Sequence, residues 1–293
     1  MSVHIIIPTI EGRESILLQC LVSILGQTYS HWDLSICSTN KDLKVGNRDD
    51  TIVTNRFLGS ISKLGKRVNI IYDERQQGPG IAVQTLLDSV SGTYVFRVDD
   101  DVVLTPSVLQ KLMNTISLEN DIAAVGCPVN AFGVPFVNYK DYWEKNDSQL
   151  YLPFNGYRYE PHLQGNGRYE TMNDNFQYHS CLGEFEIAEV DFLSGYALLL
   201  DRTCVNAVGG YHDKDGPKWH TEDWWATLKL RQAGYKLLIR GDAIAFHHHY
   251  HYDFSHKFAN SNANLDKELF YKYRNGIHLD KDRKVGRVTE VIR

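Results

Sequence analysis

Three consecutive carboxylates, Asp99, Asp100 and Asp101, follow directly on an apolar run at 93–98 (TYVFRV). On a backbone that stays extended, Asp99 and Asp101 share one side, because the side chains of a strand alternate faces. Crowded carboxylates raise each other's pKa and destabilise a fold unless a cation neutralises them. Mg2+ and Mn2+ accept such oxygen ligands while keeping places open for phosphate. A second acidic pair, Glu222 and Asp223, opens a helical pattern, where the macrodipole favours the ionised form and keeps a carboxylate available as a base. A third feature is the run His247, His248, His249, Tyr250, His251 at the end of an apolar segment. On an extended backbone His247, His249 and His251 face one way, so one or two neutral imidazoles can complete a cation's ligand shell.

These groups are far apart in sequence, so a tertiary scaffold has to gather them. With 293 residues, 43% of them hydrophobic and 23% charged, the chain can bury a full core. A short apolar run at 3–7 (VHIII), closed by Pro8, reads as a strand buried on both faces of a parallel sheet. Residues 14–25 carry apolar positions at helical spacing, 32–37 and 68–72 read as strands, and 81–90 reads as a helix after the turn residues Gly78, Pro79 and Gly80. Pro106 opens a further helix to 116. Later come a strand over 190–200, a helix over 221–233 capped by Thr221 and stopped at Gly234, and one last strand over 237–246. Alternating strands and helices predict a layered α/β domain with a mostly parallel sheet, in which ligands sit beyond the carboxyl ends of the strands. The segment 130–189 is rich in Gly, Asn and aromatic residues and reads as hairpins and loops shaping a pocket.

Composition excludes some partners. A net charge of −5 without a long basic run argues against nucleic acid. Five widely spaced cysteines without a C-x-x-C pair fit reduced thiols rather than a disulfide framework or zinc knuckle. No signal-sequence pattern and no apolar run near twenty residues is present, from which a cytoplasmic protein is expected, with peripheral membrane contact left open. The basic residues between Lys272 and Arg287 are the one region suited to an anionic surface.

Taken in order, several segments resemble the family 2 type inverting glycosyltransferases with the GT-A fold: IIIPT at 5–9, SILGQTY at 23–29, SGTYVFRVDDDVVLTPSVL at 91–109, VDFLSGYALLLDR at 190–202 and GGYHDKDGPKWHTEDWWATLKLRQAGYKL at 209–237. The resemblance covers most of the chain from Val3 to about His251. It implies a nucleotide-sugar-binding half at 1–128, an acceptor-binding half at 129–255, and a C-terminal helix and basic tail at 256–293. Within it Asp99 and Asp101 take the D-x-D roles of nucleotide and metal contact, Asp223 is the catalytic base, and His247, with His249 as second choice, binds the same cation, Mn2+ or Mg2+.

Asp100, Thr9, Glu11, Ser38, Thr39 and Gln77 are expected to line the nucleotide pocket, and Trp219, Glu222 and Trp224 to meet the acceptor beside a lid at 213–220. The resemblance implies transfer from a nucleotide-sugar donor to a glycan or lipid-linked acceptor, as in polysaccharide biosynthesis. UDP-sugar is the first expectation, with GDP- and dTDP-sugars as alternatives. Two departures bear on the base: Ser38, Thr39, Asn40 and Lys41 stand where the family carries an Asp pair followed by Gly and Ser, and Glu11 stands where Asn is common. Two other classes fit the carboxylates alone, a metal-dependent nucleotidyl- or phosphoryl-transferase and a non-catalytic nucleotide or glycan binder.

Overall fold

A computed structural model of the chain describes residues 2–47, 49–74, 78–127, 129–131, 156–157, 187–189, 192–212, 222–248 and 287–288. The order begins β1 (Val3–Thr9), α1 (Glu14–Leu25), β2 (Trp32–Ser38), α2 (Val53–Lys63), β3 (Val68–Tyr72), α3 (Pro79–Ser89), β4 (Tyr94–Val98), β5 (Val102–Leu104), α4 (Val108–Ile116) and β6 (Ile122–Gly126). It continues with β7 (Val129–Ala131), β8 (Gly156–Tyr157), β9 (Ile187–Glu189), β10 (Phe192–Leu193), β11 (Ala197–Asp201), α5 (Arg202–Ala207), α6 (Glu222–Gln232), β12 (Lys236–Arg240), β13 (Ala245–His247) and β14 (Arg287–Val288).

The central sheet runs β14-β9-β12-β6-β11-β4-β1-β2-β3. Its β3-β2-β1-β4 block is parallel, as is β6 with β12, whereas β11 is antiparallel to both β4 and β6. Alternation along the strands divides the core into two layers. Ile5, Ile7, Phe96 and Val98 join Leu17, Leu21, Leu58 and Leu112 on the α1, α2 and α4 side. Ile6, Val95, Leu198 and Leu200 join Val83, Leu86, Ala226 and Leu230 on the α3 and α6 side. Ile6 and Ile7 are fully buried, each such side chain contributing about 2–3 kcal/mol through the water it sheds.

The structure alters four sequence expectations. Strand β1 continues through Pro8 to Thr9, because its pairing with β4 ends at Ile6↔Arg97 and a strand with one neighbour tolerates the missing donor. The run 190–200 is broken into β10 and β11 by a turn at Gly195 and Tyr196. The run 237–246 is likewise broken by a turn at Gly241 and Asp242, so that β13 leaves the main sheet to pair with β5 and β7. Finally, α2, β5, β6 and α5 have no counterpart in the expected elements. The N-cap of α2, Ile52, makes no capping hydrogen bond, and Gly59 lies inside that helix because a Cβ there would collide with the Gly46 carbonyl.

Among the described residues no helix is long and apolar enough to cross a membrane. Cys20, Cys37, Cys127 and Cys204 are buried free thiols. Cys181, the lid at 213–220, most of the aromatic segment, and the tail except Arg287 and Val288 lie outside the described residues.

Candidate functional site

Parallel pairing sets Thr9, Ser38 and Tyr72 at one level, Thr9 opposite Ser38 and Ser38 opposite Tyr72. The acid triplet continues β4 beyond the same edge. The triplet is not extended: the Val102 amide donates to the Asp99 carbonyl at 3.1 Å, closing a tight turn between β4 and β5. The three side chains therefore do not alternate as in a strand, and the carboxylates that share a counter-ion are Asp100 and Asp101 rather than Asp99 and Asp101. Arg13 Nη2 stands 2.9 Å from Asp100 Oδ1 and 2.6 Å from Asp101 Oδ2. Thr9 Oγ1 donates to Asp100 Oδ2 at 2.5 Å. The other oxygen of Asp101 faces His247 Nε2 at 3.0 Å, and the His248 amide donates to the Asp101 carbonyl at 2.9 Å. His247 reaches this place because β13 pairs antiparallel with β5, setting His247 opposite Val102, and its ring leans on Tyr196 with centroids 4.6 Å apart.

Asp99 belongs to a second cluster. Its amide donates to the Tyr196 carbonyl, and its Oδ1 lies 3.2 Å from Nη2 of the buried Arg97. The same Nη2 lies 3.0 Å from Glu222 Oε1, and Arg97 Nη1 donates to the Tyr211 hydroxyl. Glu222 is buried beside this guanidinium. Asp223, one residue on, accepts the Gly195 amide on Oδ2 at 2.6 Å and the Trp224 amide on Oδ1 at 2.8 Å. Trp224 Nε1 donates to Ser194 Oγ at 3.0 Å. The break between β10 and β11 thus serves the site. It turns the Gly195 amide toward Asp223 at a place where any Cβ would overlap the Arg97 guanidinium.

Electrostatics follow from burial. Burial and the neighbouring Asp223 charge push Glu222 up to about 8 against the pull of Arg97. Burial also raises Asp223, with Arg97 and the two amide donors opposing it. Asp100 is pushed up to about 7 by burial, Arg13 working against the shift and Asp101 with it. Asp101 goes the other way: the cost of burial is outweighed by His247 and Arg13, which hold it well below the usual carboxylate range. At this sheet edge five carboxyl groups stand with two guanidinium groups; with Glu222 and part of Asp100 keeping a proton, a small excess of negative charge is left, which suits a divalent cation.

The Asp101–His247 pair fits such an ion. Ligands at right angles on an octahedral cation, each about 2.1 Å away, stand about 3 Å apart, and a carboxylate with an imidazole suits Mn2+. No group of three or more His, Cys, Asp or Glu side chains converges as a preformed cage among the described residues. Two protein ligands with the remaining places left to phosphate and water is the usual arrangement for ions of this kind.

Of the other expected pocket residues, Thr39 Oγ1 accepts the Glu11 amide at 2.9 Å and Ser38 Oγ accepts the Asn40 amide at 3.0 Å, so both organise the loops at the carboxyl edge. Gln77, Trp219 and His249 lie outside the described residues. Sequence reasoning passed over Arg13, Arg97, Tyr211 and Gly195. Signals existed for two of them: Arg97 is a charge inside an otherwise apolar strand, and Gly195 interrupts a strand pattern, a mark of close backbone approach.

The family model for glycosyl transferase family 2 matches residues 4–182. An uncharacterized glycosyltransferase of Haemophilus influenzae is 30% identical over 115 residues, 39% of this chain and 33% of that protein. TuaG of Bacillus subtilis, named as a teichuronic acid biosynthesis glycosyltransferase, is 29% identical over 102 residues, 34% of this chain and 35% of its own length. The matched stretches thus span about a third of these curated relatives. The fold is shared with the mannosyltransferase PcManGT from Pyrobaculum calidifontis, solved with GDP-Man and Mn2+, at a TM-score of 0.62 and 14% identity over 94% of this chain and 65% of that one. It is shared too with GalNAc-T7, solved with UDP, GalNAc and Mn2+, at a TM-score of 0.60 and 14% identity over 85% of this chain and 44% of the other. With the family model matched over more than half of its length, the chain belongs to glycosyl transferase family 2.

Proposed function

We propose that this chain is a divalent-metal-dependent inverting glycosyltransferase that moves a sugar from a nucleoside-diphosphate donor to a hydroxyl of a glycan or lipid-linked acceptor. The observation that carries this reading is the meeting of three separate sequence features at one sheet edge. Asp101 touches His247, and Arg97 joins Asp99 to Glu222 beside Asp223. The two similar folds were solved with a GDP-sugar or UDP and with Mn2+, which supports a nucleoside diphosphate and a metal here.

In this reading Asp101 and His247 hold the cation. An ion held there would supply positive charge to offset the negative charge developing on the departing diphosphate. Thr9, Ser38 and Thr39 line the nucleotide side at the ends of β1 and β2. Asp223 takes the proton of the acceptor hydroxyl while that oxygen bonds to the anomeric carbon and the carbon–diphosphate bond breaks on the opposite face. The Gly195 and Trp224 amides fix the carboxylate, and its raised pKa makes it a better proton acceptor than an exposed aspartate.

A thermal-shift screen of UDP, GDP, CDP and dTDP with and without Mn2+ tests the donor class, because a ligand of the folded state raises the melting temperature. One diphosphate acting only with Mn2+ supports the proposal. Stabilisation by none of them, with or without the ion, would overturn it. Proton NMR of the transfer product then reads the anomeric configuration. Retention would remove the single displacement at Asp223, and a phosphorylated product would favour phosphoryl or nucleotidyl transfer.

A further inference from the structure

We propose that Arg13 is a displaceable counter-ion of the cation site, holding Asp100 and Asp101 together until a divalent ion takes its place. The inference rests on the metal reading above and deepens it. One nitrogen of Arg13 lies within 2.9 Å of Asp100 and 2.6 Å of Asp101. A cation on Asp101 and His247 that also drew in Asp100 would need the point between the two carboxylates that Arg13 Nη2 occupies, so guanidinium and metal compete for that pair.

Arg13 is also poorly placed for any role in its own helix. It is the N-cap of α1, makes no capping hydrogen bond, and sets a positive charge at the positive end of the helix dipole. A residue that breaks a local rule at a cleft points to a functional demand. Its Nε and Nη2 are buried and neither makes a hydrogen bond of good geometry among the described residues, so the guanidinium is held to the two carboxylates by charge. An N–H in that condition gains from any phosphate oxygen that arrives. The preceding Gly12 has a φ of +88° with open space around the position of a Cβ, a backbone state that favours glycine.

The sequence of events is therefore an exchange of ligands without covalent change. Arg13 leaves the carboxylates as Mn2+ binds, and its freed N–H groups become available to the donor diphosphate. Competition sets the signs. Removing the guanidinium leaves Asp100 with Thr9 alone and Asp101 with His247 alone, two adjacent buried carboxylates short of a counter-charge, which lowers metal-free stability and raises affinity for Mn2+.

Mn2+ alone, without nucleotide, is titrated into the full chain and into Arg13→Gln, free Mn2+ being read by electron paramagnetic resonance. Binding to the variant should be at least about tenfold tighter, with a larger Mn2+-induced rise in melting temperature. A second measurement needs no variant: Arg13 in the unaltered chain should react with phenylglyoxal faster when Mn2+ is present, and UDP or GDP with Mn2+ should protect it again. Equal Mn2+ affinity in both proteins, or labelling of Arg13 unchanged by Mn2+, would overturn the exchange while leaving the metal site standing. Absence of Mn2+ binding to either protein would bring down both.

Discussion

Replacing Arg97 by Met tests whether the buried guanidinium is the electrostatic centre of the acidic cleft. Met is unbranched and flexible enough to fill the slot beside Gly195, so the substitution removes charge with little loss of volume. Three partners lose it: Glu222 at 3.0 Å, Asp99 at 3.2 Å and the Tyr211 hydroxyl. Removing one member of a buried ion pair costs about 3–5 kcal/mol, because the partner is left uncompensated. Glu222 already tends to keep its proton, being pushed up to about 8, so the lower end, about 3 kcal/mol, is expected near neutral pH. For a chain of 293 residues that lowers the melting temperature by about 5 °C.

Differential scanning fluorimetry and urea unfolding read the loss, and Glu222→Gln on the Arg97→Met background should restore about 1 kcal/mol above about pH 8, where Glu222 would otherwise ionise, with Asp99 still short of its partner. Arg97 also opposes the rise of the Asp223 pKa, so the acid limb of kcat/KM should move to higher pH in Arg97→Met. A stability within 1 kcal/mol of the parent, or a double variant no better than the single one, would refute this account of the network.

Asp223→Asn should lower kcat by about 10²–10⁴ while nucleoside diphosphate binding, followed by calorimetry, stays within about twofold. His247→Ala should weaken Mn2+ binding by about 10–100-fold, measured by isothermal titration, and abolish the metal-dependent part of the nucleotide thermal shift. Glu222 also fixes a pH dependence. Burial holds its pKa at about 8 against an ordinary 4.5, so the folded chain keeps a proton that the unfolded chain releases. The stability this group contributes is complete below about pH 4.5 and is lost as pH rises through about 8. Glu222→Gln should therefore flatten the melting temperature between pH 5 and 8.5, and parallel pH curves for the two proteins would show that Glu222 titrates as an exposed residue. Gly195→Ala forces a methyl group into the Arg97 guanidinium and should cost stability and activity together, read by fluorimetry and initial rates.

The sequence by itself determined the layered α/β plan and which residue types would meet. Apolar runs such as 3–7 and the helical spacing over 14–25 are local patterns, and a buried strand or an amphipathic helix has to show them wherever it packs. The acid triplet, the Glu222–Asp223 pair and the histidine run were legible too, as local clusters at the ends of apolar or helical patterns.

Tertiary structure decided the rest. The pairing of carboxylates depended on a hydrogen bond from Val102 that turns the triplet, which moves Asp101 onto Arg13 and His247 and leaves Asp99 to Arg97. The breaks at Gly195 and Gly241 depended on where antiparallel β11 and the departing β13 had to go. Arg97 is joined to Glu222 across 125 positions and Arg13 to Asp100 across 87, and no periodicity carries information over such spans. Contacts of that length arise only when the sheet closes, because burial, charge balance and strand register choose the partners together.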